Sequence, residues 1–215
     1  MANEITPSRG EGREKNIVRA TAEKFGGLIK LVRSRAALDE RVERMWPITI
    51  WCRNAEAKAR DRLAELPPVA ELRADEATLQ AAINVPATEK EIRWIVGLML
   101  EGFGQRANTT ATNIDWIVEE LLLADADEEK PVHNGFSAAV LFLATLRIGR
   151  DSKFVPTASE IVEKVREVRR ETAKALRVTR AMIEASENAT SIADFFAVPE
   201  GDDGGPLELD DNIPF

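Results

Sequence analysis

Residues 156–186 read PTASEIVEKVREVRRETAKALRVTRAMIEAS. Pro156 and Thr157 stand ahead of Glu160, and Thr-x-x-Glu is the spacing with which a helix start satisfies its own free N–H groups. Beyond that box, Ile161, Val165, Val168, Leu176 and Ile183 recur at multiples near 3.6. The spacing predicts one long amphipathic helix. A helix with a single apolar stripe has to bury that stripe against other elements.

Upstream lies AAVLFLATLRIG (138–149), apolar nearly all round and so predicted to be central, with Asn134 or Ser137 as its cap. Thr88 and Glu91 form a second capping box before IRWIVGLML (92–100), and Gly102 and Gly104 stop that helix. Thr112 or Asn113 can cap IDWIVEELLLAD (114–125), and the acidic stretch that follows reads as a loop. Nearer the N-terminus, Ile17, Val18, Phe25, Leu28, Ile29 and Val32 give a helical pattern that Gly26-Gly27 weakens. Pro47 opens a helix over ITIWCRNAEAKARDRLAEL (48–66), which Pro67-Pro68 closes. No segment alternates for more than a few positions, so no strand is expected.

The predicted class is therefore all-α. A disordered N-terminus (1–14) is followed by a basic helical hairpin or arm (15–68), a helical body (69–198) and a flexible acidic tail (199–215). Charge follows this order. Residues 1–60 hold 13 Lys and Arg against 8 Asp and Glu, a net of +5. Residues 187–215 hold eight acids and no base, which alone equals the net charge of −8 for the whole chain. A basic start and an acidic end imply partners of opposite sign, or an end that folds back on its own body.

The sequence carries no constellation for catalysis. His133 is the single histidine and sits in the acidic loop with no second ligand near it. No GxxxxGK[ST] loop is present, and GFGQR lacks its spacing. Cys52 is the single cysteine and reads as a small core residue. A non-enzymatic protein without cofactor or metal is expected. No apolar run approaches the roughly 18 residues of a membrane span, and the polar start has no signal core, so a cytoplasmic protein is expected. Trp46, Trp51, Trp94 and Trp116 have apolar neighbours and are expected to pack in the core rather than to stack on bases.

The chain finishes PLELDDNIPF. Phe215 can fill an apolar cavity while its carboxylate pairs with a basic rim, and Pro214 narrows the conformations of Ile213, so less freedom is lost on docking. Asp210 and Asp211 would speed the encounter with a basic surface. Asp210, Asp211, Asn212, Ile213, Pro214 and Phe215 are thus the candidate partner-binding residues.

This tip resembles the acidic tip of bacterial single-stranded DNA-binding protein, which ends Asp-Asp-Asp-Ile-Pro-Phe. Five of six positions match and Asn212 departs. The body of that family is an aromatic-lined five-stranded barrel, which the helical pattern here does not fit. The resemblance implies docking on replication and repair proteins that read such tips.

The corner RDSKFVPTASEIVEKVREVRRE (150–171) reads physically as two helices joined by a basic link, with Phe154 and Val155 sealing the junction. Over residues 88–172 it also resembles the helical domain of phage replicative-helicase loader or inhibitor proteins. That implies contact with a hexameric helicase and no chemistry of its own. For direct contact with nucleic acid, the candidates are Lys30, Arg33 and Arg35 on the arm, and Lys174, Arg177 and Arg180 on the acid-free part of the long helix. Three functions stay open: a phage-type DNA replication or recombination accessory protein, a helical single-stranded DNA-binding or annealing protein with an autoinhibitory tail, and a decoy inhibitor of host proteins.

Overall fold

A computed structural model describes residues 25–39, 47–103, 111–126 and 135–197. The expectations for residues 1–14 and 199–215, for the tip Asp210–Phe215, and for His133, Trp46 and Gly104 fall outside those residues.

Among the described residues the protein is all helix, with no strand and one isolated bridge between Pro86 and Ser137. The helices are α1 (25–36), α2 (Ala55–Glu65), α3 (Val69–Asn84), α4 (Glu89–Glu101), α5 (Ala111–Ala126), α6 (Ala138–Asp151) and α7 (Ala158–Phe196). The predicted long helix is α7, 39 residues and so about 58 Å at 1.5 Å per residue. Its start is the predicted capping box: Thr157 Oγ1 accepts from the Glu160 N–H, and Glu160 accepts from the Thr157 N–H. Thr88 and Glu91 do the same for α4, and Ser137 caps α6.

α7 is the spine. Its N-terminal half buries Ile161, Val165, Val168 and Ala175 in the main core, with Ile92, Val96 and Leu100 of α4, Val118 and Leu121 of α5, and Val140, Leu141 and Ala144 of α6. α6 is central, as its all-round apolar pattern requires: positions 139–145 are all buried. Farther along α7, Val178, Met182 and Ile183 meet Leu72 of α3. At its C-terminal end Ala189 and Ile192 meet Ala55 and Ala59 of α2. The buried seam of α7 also includes Thr172, Thr179 and Ser186. The two threonine hydroxyls donate to carbonyls one turn back, at Val168 (2.8 Å) and Ala175 (2.9 Å). These short side chains let neighbouring helices approach without leaving a polar atom unpaired.

Several local expectations change. The helix predicted from residue 48 begins at Ala55. Residues 47–54 instead form turns ending at Asn54, whose φ of 60° ends any helical path; asparagine tolerates this left-handed region better than most residues. The Asn188 side chain holds that turn, accepting from the Ile48 N–H (2.8 Å) and donating to its carbonyl (3.1 Å). α3 has no counterpart among the predicted capped helices; Pro68 precedes it and no side chain caps it. α5 is already helical at Ala111, so Thr112 and Asn113 lie inside it rather than ahead of it. Phe154 does not seal the α6–α7 corner: it is 79% exposed, while Val155 packs on the core and Pro156 is buried. The three described tryptophans are not core either, since Trp51 is 89%, Trp116 53% and Trp94 38% exposed.

Within the basic segment, α1 is docked on the body. Leu28 and Val32 of α1 are buried in the main core, and Phe25 stacks at 5.1 Å on Phe142 of α6.

Candidate functional site

Most of the basic residues singled out in the sequence converge on the joints between α1, α3 and α7. Arg35 of α1 points inward and is only 9% exposed. It donates to Asp75 of α3 (2.6 Å) and to the Met182 sulfur of α7 (3.8 Å). Just beyond α1, Asp39 accepts from Arg177 (2.6 Å) and Lys174 (3.0 Å), both on α7. The bond from Arg177, then that from Lys174, holds the Asp39 carboxyl below its usual range. Arg180 bonds Glu76 (2.7 Å) and Gln80 (3.2 Å) of α3. Four of the six cationic candidates therefore tie the body together through acids of its own. Lys30 and Arg33 lie exposed on α1.

Beside Arg33 the surface opens into a groove of about 170 Å³ between α1 and α6. Its lining is Ile29, Val32, Leu143 and Leu146, with Arg33, Arg147 and Arg150 around them. On α6 the spacing 143, 146, 147, 150 puts one leucine pair and one arginine pair on a single face. That periodicity was available in the sequence, but the continuous apolar character of α6 masks it. Arg147 forms the inner wall. It makes a bidentate pair with Glu171 of α7 (2.9 and 2.5 Å), with Glu167 at 3.7 Å. The Arg147 bond pulls the Glu171 carboxyl below its ordinary range, and Glu171 in turn raises Arg147. Arg150 pairs with its chain neighbour Asp151 (2.7 Å), both well exposed.

At the opposite end of α7, Trp51 and Phe195 lie exposed near the small cluster of Ile48, Ala55 and Ile192. Cys52 packs on this cluster and is half-buried; its contact with the Thr49 hydroxyl at 3.4 Å pulls the thiol below its ordinary range. Among the described residues no group of three His, Cys, Asp or Glu side chains could hold a metal ion, and no helix is long and apolar enough to cross a membrane.

No protein-family model, no curated protein and no solved structure matches this chain.

Proposed function

We propose that this protein is a non-enzymatic DNA replication or recombination accessory protein of phage or prophage type. Its Asp210–Phe215 segment docks on proteins that read the tip of single-stranded DNA-binding protein. The observation that carries this reading is the match of Asp210, Asp211, Ile213, Pro214 and Phe215 to that tip. Asn212 lowers the charge by one and weakens docking without removing the apolar anchor.

The body supports a protein-binding role more than a DNA-binding one. Arg35, Lys174, Arg177 and Arg180 already have carboxylate partners, so phosphates would have to displace them. The α6–α7 corner presents exposed Lys153 and Phe154, as a contact with a second protein such as a replicative helicase would use.

Titration calorimetry with a tip-reading partner tests the proposal. Removing Ile213–Phe215 is expected to weaken binding at least tenfold, about 1.4 kcal/mol. Equal affinity with and without those three residues rejects it.

A further inference from the structure

We propose that the groove between α1 and α6 is an intramolecular socket for the chain's own acidic C-terminal segment, with Phe215 or Ile213 seated between Ile29, Val32, Leu143 and Leu146, and carboxylates of the segment against Arg33 and Arg150.

Size, charge and reach each bear on this. The groove is about 170 Å³ with an apolar floor, and an apolar cavity of roughly 150 Å³ accepts a benzene ring. Arg147 is committed to Glu171, so the guanidinium groups that an incoming acid meets are Arg33, exposed at the edge, and Arg150. The Arg150–Asp151 pair is 60% and 49% exposed, and solvent screens a pair so exposed, so a further carboxylate can share or replace it.

Reach selects the residues. Glu171 marks the groove's level on α7, and from there to Ala197 is 26 residues, about 39 Å of helix. From Ala197 to Leu207 is 10 residues, at most about 33–36 Å extended, which falls short. Ile213 lies 16 and Phe215 lies 18 residues on, with limits of about 53–58 and 59–65 Å. Both reach with slack.

Charge selects the segment. Residues 1–24, which adjoin α1, carry five Lys and Arg against four Glu, a net of +1, and an arginine rim does not attract them. Residues 198–215 carry six acids and no base. Seated in the groove, the tip would bury the apolar side chain that a partner would otherwise take. The socket does not depend on the partner reading: the segment can dock at home whether or not another protein reads it.

The test uses the full chain with a benzophenone amino acid in place of Leu146, irradiated and mapped by mass spectrometry. Cross-links within one chain to residues 210–215 are expected. Their yield should fall at least about threefold near 1 M salt, where charges are screened beyond about 3 Å, and in Phe215→Asp. A second full-length protein carrying Arg33→Glu and Arg150→Glu alongside the probe, with unchanged circular dichroism, should lose them to a similar degree. Cross-links to residues 1–24, cross-links only between two copies, or none within one chain to residues 210–215 overturn the socket. A partner that ignores the tip while these cross-links persist overturns the proposed function and leaves the socket standing.

Discussion

Arg147 of α6 and Glu171 of α7 form a two-bond fork, 2.9 and 2.5 Å, that ties the central helix to the spine. The pair is partly sheltered, with side-chain exposures of 18% and 36%, so it lies between surface pairs worth less than about 1 kcal/mol and buried ones whose rupture costs about 3–5. Arg147→Ala is expected to lower the unfolding free energy by about 1–2 kcal/mol in urea. The pair also sets a pH dependence. Glu171 has a lowered folded-state pKa, so its contribution is present above the unfolded carboxylate value and is lost as pH falls through the lower folded one. Denaturation between neutral pH and strong acid should therefore show a shallower loss of stability in Arg147→Ala than in the parent. Equal slopes would contradict the pairing.

Thr157 controls how α7 begins. Its hydroxyl accepts from the Glu160 N–H, and its own N–H binds the Glu160 carboxylate (2.7 Å). Removing a cap of this kind costs about 1 kcal/mol. Thr157→Ala should lower the melting temperature, while Thr157→Ser should retain most of it. The Glu160 carboxyl is held low chiefly by the Thr157 N–H, so its share of the box fades as pH falls through that lowered value. An unchanged melting temperature in Thr157→Ala would show that the box does not start the helix.

Leu141 in the first turn of α6 and Phe154 at the α6–α7 corner contrast core with surface. Leu141 is 1% exposed inside the main cluster, and Leu141→Ala should cost about 2–5 kcal/mol. Phe154 is 79% exposed, and Phe154→Ser should stay within about 0.5 kcal/mol of the parent. Chemical denaturation of both variants checks the pair of values. A large loss in Phe154→Ser would restore the sealing role that its sequence position suggests.

Much of this architecture was legible in advance because local rules and the global fold agree. Thr88-x-x-Glu91 and Thr157-x-x-Glu160 each start a helix, and Ile161, Val165 and Val168 face the core. The misses have specific causes. Trp116 and Phe154 were assigned by hydrophobicity alone, and exposure of single large apolar side chains is common enough that composition cannot decide it. The charge run from Lys174 to Arg180 looked unbalanced because its acids, Asp39 and Glu76, are over a hundred positions away in sequence. Long-range pairing of this kind leaves no local periodicity. The late start of α2 was hidden similarly, since the turn before it is held by Asn188 from α7.

Asn188 therefore supplies a last prediction. One side chain satisfies both the N–H and the carbonyl of Ile48. Asn188→Ala leaves two backbone groups beside the buried Ile48 side chain without those partners, at a cost of about 1–3 kcal/mol. The damage should be local before it is global, because Ile48, Ala55, Ala59, Ala189 and Ile192 form a cluster separate from the main core. Hydrogen exchange should quicken in residues 47–59 and in the last turns of α7, while α4 and α6 keep their protection. Asn188→Asp retains the acceptor and loses the donor, so it should fall between the parent and the alanine variant. Exchange that quickens uniformly over all helices would mean that the turn is part of one cooperative unit with the main core, and that Asn188 anchors the whole spine rather than its end.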